Sequence, residues 1–194
     1  MSKQVIPEAF FDSLSLAHKL DSFLDGFKLE EIHLFSYFSS FLYCYAGNSV
    51  ATWPHRYIVV DGYPFSDSIN EAIVRHLQNG LFEEKDEYYV ISSRGTDEFN
   101  KFKLLATFIK REEIINAACT TSILIPYSQT LRALLNEPDL KAAQQSQSNP
   151  WLDQTNFYPQ FKEISEAVGI HSQDLIIPAV TWVNYLNEKF KLEE

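Results

Sequence analysis

A mainly helical chain with one small β element is the fold class that the sequence predicts, and three observations carry it. Apolar residues recur at helical spacing through most of the 194 residues. Between Pro64 and Gly95, PFSDSINEAIVRHLQNG reads as a capped helix that stops on glycine, LFEEKDEYYVIS as a short hairpin, and SRG as the opening of the next helix. After the hairpin the helical spacing resumes and is broken by one polar interval. A helix running straight into a two-stranded wing is the second half of a winged-helix domain. The expected organisation is an N-terminal helix over residues 1–28, a winged-helix domain over 29–110, and a C-terminal helical region over 111–194 with a polar connection at 141–150.

In chain order, Phe10, Leu14, Ala17, Leu20 and Leu24 repeat at helical spacing, and Asp25-Gly26 ends that helix. Leu29 to Tyr45 is apolar almost all round, with only serines and His33 for a polar side, so it should be the central buried helix. Gly47-Asn48 closes it. Pro54 keeps Trp53 out of helix, and Tyr57 to Val60 reads as a short β segment or extended connection before an Asp61-Gly62 turn.

Ser68 and Glu71 fit a capping box for the next helix, with Ser66 and Asp67 as rival caps, and Asn79-Gly80 supplies a left-handed stop. Leu81-Phe82 and Tyr88 to Ile91 form the wing strands across the acidic link Glu83, Glu84, Lys85, Asp86 and Glu87. Helix is expected from about Ser93 to Ile109, with Phe99, Phe102, Leu105 and Phe108 as core, and again from Glu112 to Leu124, where Pro126 breaks it. A shorter helix from Ser128 to Leu135 precedes Glu137-Pro138. KAAQQSQSNP, residues 141–150, is polar and aliphatic-poor, as an exposed connection would be. Two more helices follow, at about Phe157 to Val168 and Ile177 to Phe190; Pro178 suits the first turn of the second, and Ala179, Trp182, Val183, Leu186 and Phe190 share one face.

Composition narrows the function. With 45% hydrophobic residues and 15 Phe, 10 Tyr and 3 Trp, a dense core is expected and disorder is not. A formal charge of -10 repels phosphate backbone on average. Cys44 and Cys119 lie far apart inside helices without a CxxC or neighbouring histidine, so buried free thiols are expected. The start of the chain lacks the basic flank and apolar run of a signal peptide, and Ile32 to Ala46 is too short to span roughly 30 Å of hydrocarbon. A reducing, cytoplasmic setting is the expectation.

Catalytic motifs are missing from the sequence. His18, His33, His55, His76 and His171 fall on different elements, and no HExxH helix, GxSxG elbow or phosphate-binding loop occurs. The hairpin acids could hold a divalent cation, but their spacing matches no calcium loop, and a solvated charged strand edge explains them. Asp61, Asp67 and His76 could be imagined as an acid–base set, although caps and surface positions account for them. No cofactor or metal is expected.

DNA reading is disfavoured by the same helix and wing. The exposed helix face offers Asp67, Asn70, Glu71, Arg75, Gln78 and Asn79, one cation against two acids, and the wing adds four acids and one lysine. The cations Arg94, Lys101, Lys103, Lys110 and Arg111 come later and are split between helix faces. Docking to a basic protein surface suits this distribution better. The candidate partner-binding residues are Asp67, Asn70, Glu71, Arg75, Glu83 and Glu84 on the helix and wing, with Trp151, Tyr158, Trp182 and Tyr185 as aromatic anchors; Trp151 and Tyr158 flank the polar connection and are the best placed of these for exposure.

HLFSYFSSFLYCYAG, then PFSDSINEAIVRHLQNGLFEEKDEYYVISSRG, then LIIPAVTWVNYL resemble in pattern and order the middle component of ABC-three-component and Lamassu-type antiphage defence systems, a winged-helix subunit that accompanies an SMC-like ATPase and a nuclease or other effector. Its role is similar to that of the kleisin-associated tandem winged-helix subunits of bacterial condensins. The resemblance covers about two thirds of the chain. It implies a non-catalytic adaptor whose later helices assemble on the ATPase, without ATP-binding or nuclease residues. An acidic winged-helix transcription regulator is the alternative, and an enzyme with a dispersed site is a third reading.

Overall fold

The fold is described from a computed structural model, which places residues 5–146, 151–152, 158–167 and 174–191. Two helices form its axis. The helix α2 (Leu29–Tyr45) buries nearly its whole length, from Glu31 to Tyr45, as expected for a segment apolar in every direction. Its serines turn inward: Ser39 and Ser40 donate to the carbonyls of Phe35 and Tyr37, and Ser36 meets the Tyr57 hydroxyl at 2.7 Å. The second axial helix, α5 (Ala106–Leu124), packs against both α2 and α1 (Pro7–Leu24). The expected boundary between residues 110 and 111 therefore falls inside α5.

The chain leaves α1 through Asp25 and Gly26, at φ 57° and 139°. A Cβ on Gly26 would sit 2.3 Å from the Tyr88 ring, so glycine is needed there for space as well as for φ. Phe27 then pairs with Tyr89 through two hydrogen bonds of 2.8 Å. After α2 and a short 3-10 turn at Val50–Thr52, β1 (Ile58–Val60) and β2 (Tyr63–Phe65) form a hairpin around Asp61-Gly62, both at positive φ. The expected β segment thus has a partner strand, which Pro64 disguises in the sequence.

The helix α3 (Asp67–Gln78) starts one residue before Ser68 and has no side-chain cap, a correction to the capping box; Ser68 instead meets His55 Nδ1 at 2.8 Å. Its left-handed stop at Gly80 is as expected, with φ 66°. The strands β3 (Phe82–Lys85) and β4 (Tyr88–Ile91) follow, and the strand extends through Glu83, Glu84 and Lys85, which had been expected in the link. Gly95, in the first turn of α4 (Ser93–Phe102), lies so close to the Leu81 carbonyl that a Cβ would come within 2.4 Å, which locks the hairpin base to α4.

The expected helix from Ser93 to Ile109 is broken at Lys103–Leu104–Leu105. Phe99 and Phe108 both face Phe11, at ring distances of 6.5 and 4.3 Å. Nine residues of straight helix would separate them by roughly 13.5 Å, so the chain turns. Leu105, expected in the core, caps α5 from outside and is 47% exposed.

Pro126 ends α5 as expected and precedes α6 (Tyr127–Leu135). The polar connection begins later than residue 141, because Glu137-Pro138 starts a helix instead of ending one. In α7 (Pro138–Gln145) the Glu137 carboxylate accepts from the Asp139 and Leu140 N–H groups, Pro138 takes the first turn, and Leu140 is fully buried. Residues 147–150 of that connection lie outside the described residues. Trp151 and Leu152 then add to the free edge of β1, with Leu152 N–H donating to Tyr57 at 3.1 Å. The helices α8 (Tyr158–Ala167) and α9 (Ile176–Lys191) complete the packing against α2, α5 and α6; of the expected α9 stripe, Ala179, Trp182, Val183 and Leu186 are buried, and the Phe190 side chain lies outside the described residues. Both cysteines are free and buried. Among the described residues no helix is long and apolar enough to cross a membrane.

Candidate docking surface

Exposed polar chemistry concentrates on α3 and the β3–β4 hairpin. Apolar positions Ile69, Ala72, Ile73 and the His76 ring turn α3 inward. Asp67, Val74, Arg75, Gln78 and Asn79 are left in solvent, and Asn70 and Glu71 are half-buried. Phe82 anchors the hairpin against Phe27 and His76, at ring distances of 5.2 and 4.7 Å. From that anchor Glu83, Glu84, Lys85, Asp86, Glu87 and Tyr88 all project into solvent. Since β4 takes the bridge to Phe27, β3 is the outer edge.

The candidate residues do not form one patch. Asp67 opens α3 while Glu83 and Glu84 lie beyond its other end, so roughly 18 Å of helix separates two acidic groups. Trp151 is 59% exposed on the β1 edge and Tyr185 is 37% exposed on α9. Trp182 corrects the expectation of an anchor: it is 1% exposed, its ring 5.6 Å from Phe161 and 5.4 Å from Tyr185, because α8 covers the α9 stripe to which it belongs. The Tyr158 side chain and Phe157 lie outside the described residues.

The most concentrated polar chemistry is inside, and sequence reasoning missed it. Arg111 Nε and Nη2 clamp Asp12, the former at 2.8 Å, and the Arg111 guanidinium lies 4.5 Å from the Trp53 ring centre. His55 Nε2 donates to the same carboxylate at 2.7 Å, and its Nδ1 faces Ser68. Burial alone would raise the Asp12 carboxyl, but Arg111 and His55 outweigh it and hold it below the usual range; Asp12 in turn raises Arg111 against the effect of burial. An acid–histidine–serine sequence invites comparison with a nucleophilic triad. Here, however, the acid is committed to Arg111, His55 and Asp12 are each about 1% exposed, and the chain ties α1, α3, α5 and the 53–57 segment together. Of the cations split between helix faces, Arg111 is the one drawn into the core. Partners 43 and 99 residues apart leave no local spacing to read.

Asp61, Asp67 and His76 are not brought together. His76 is fully buried, bonds Ser13 Oγ at 2.8 Å and the Phe10 carbonyl at 3.1 Å, and burial pulls it down to about 4. Among the described residues no group of three or more His, Cys, Asp or Glu is placed to hold a metal ion. No protein-family model, no curated protein and no solved structure matches the chain.

Proposed function

We propose that this chain is a winged-helix adaptor without catalytic chemistry of its own, which links an SMC-like ATPase to an effector nuclease in a cytoplasmic antiphage defence complex. The order α1, Phe27, α2, α3, β3, β4 supports the winged-helix part, with Phe27 standing as a one-residue third strand beside β4 and α1 packed on α3. One observation carries the docking part. Glu83, Glu84, Asp86 and Glu87 crowd a solvent-exposed edge, and none has a salt-bridge partner among the described residues. Four carboxylates against the single Lys85 on this hairpin orient a basic protein surface and repel a duplex. The ATPase and effector come from the sequence resemblance alone.

Co-expression with the ATPase encoded beside it tests the reading. The two should co-purify, and Glu83→Lys with Glu84→Lys should release the ATPase while leaving the fold intact. A chain that never retains that ATPase ends the proposal. The exposed Arg75 and Gln78 on the last turn of α3, with Asn79 just past its end, favour the second reading, a DNA-binding regulator. That reading expects retention of the chain's own promoter at low salt, lost steeply as salt rises.

A further inference from the structure

Two further carboxylates, Glu30 and Asp61, line a cavity. The β1–β2 hairpin, the first turn of α2 and Asn70 of α3 enclose about 430 Å³, within the roughly 300–1,000 Å³ of small-ligand sites. Leu29, Val60 and Phe65 give it apolar walls, Glu30 and Asp61 supply carboxylates, and no lysine or arginine lines it. Burial, and then the carboxylates of Glu30 and Glu31, raise the neighbouring Tyr63 hydroxyl, so the local potential is negative.

His33 adds an independent observation. The residue is 4% exposed, lines the cavity, and accepts the Ser66 N–H on Nδ1 at 3.3 Å. Burial, followed by the charge of His55, lowers it to about 4, so the ring is neutral at pH 7 and the proton sits on Nε2. No described residue accepts that Nε2–H. His33 lines the cavity, so an acceptor bound there can meet this N–H in place of water.

We infer that this cavity receives an arginine or lysine side chain from a basic peptide segment of the partner. The aliphatic stem lies between Leu29, Val60 and Phe65, the cationic head reaches Glu30 and Asp61, and the peptide carbonyl accepts the His33 Nε2–H. This occupant satisfies all three features of the lining at once. An anion would meet two carboxylates, and a purely apolar group would leave His33 unpaired. The inference rests on the docking reading, since it names the chemistry of the docking partner, and it assigns Asn70 to the mouth of the site.

NMR titration of the full, isotope-labelled chain with N-acetyl-arginine amide tests it, with N-acetyl-norleucine amide as the uncharged control. Arginine amide should move the amide signals of residues 29–33, 60–65 and 70, and norleucine amide should bind at least tenfold more weakly. Asp61→Asn keeps the left-handed turn position that asparagine tolerates, and should weaken arginine amide about two- to fivefold, as loss of one exposed ion pair would. Equal binding of the two probes, shifts confined to other residues, or an Asp61→Asn chain that binds arginine amide unchanged would overturn the inference. A chain that holds the ATPase but ignores arginine amide loses the pocket and keeps the adaptor reading. One that binds arginine amide but never the ATPase loses the adaptor reading and keeps the pocket.

Discussion

Asp12 and Glu83 are both carboxylates on ordinary secondary structure, yet they work in opposite regimes. Asp12 is enclosed between α1 and α5, where desolvation is severe and only Arg111 and His55 make its charge tolerable. Glu83 stands in water on the edge of β3, where its charge costs little and contributes little to folding. The interior network therefore bears on stability, and the hairpin edge, under the proposed adaptor role, bears on which partner can approach.

Arg111→Met should separate the two regimes most sharply. It leaves Asp12 buried without its main counter-charge and should cost about 3–5 kcal/mol in urea unfolding. Adding Asp12→Leu should recover part of that loss, and a double variant no better than the single would break the comparison. Trp182→Ala should cost a similar ~3–5 kcal/mol, because the residue fills the core between α8 and α9. Unchanged stability with lost partner binding would return it to the surface.

Acidity comes next in size. His33 and His76 fall to about 4 in the fold, from an ordinary 6.5, while burial raises Glu137 from 4.5 to about 8. Between about pH 5 and 6.5 the unfolded chain binds at least the His33 and His76 protons in excess, with His18 adding in the same direction, against one extra Glu137 proton in the folded chain, so stability rises with pH. From 6.5 to 8 only the folded chain holds its extra proton, so stability falls. Each net proton amounts to about 1.4 kcal/mol per pH unit. Denaturation midpoints across pH should peak near 6.5, and Glu137→Gln should abolish the decline above it. Smallest of all, Glu83→Lys with Glu84→Lys should move stability by no more than about 0.5 kcal/mol. A larger loss would mean that the edge is part of the fold.

Much of the scaffold was legible because its signals are local. The bounds of α2 follow from a largely apolar run between Gly26 and Gly47, and the end of α3 from Asn79-Gly80. The β3–β4 hairpin followed from LFEEKDEYYVIS. The elbow at Lys103–Leu105 carries no glycine or proline; it exists because Phe99 and Phe108 converge on Phe11, a tertiary demand. Ser68 looked like a cap until His55 came from thirteen residues upstream. Asp12 had no local feature to distinguish it from a solvated helix acid. At the candidate surface, the acidity of Glu83 and Glu84 was readable residue by residue. The cavity beside His33 was not, since its walls come from three separated segments.

The clamp between Asp12 and Arg111 also sets an order of events. Synthesis delivers α1 almost a hundred residues before α5, so Phe11 and Leu14 leave the ribosome with no matching surface, and their polar neighbour has no guanidinium to meet. Closing so wide a chain loop carries an entropic toll that grows only logarithmically with its span, but the wait is fixed by translation. Until the elbow and the helix beyond it emerge, the side of the first helix that packs on α5 stays uncovered.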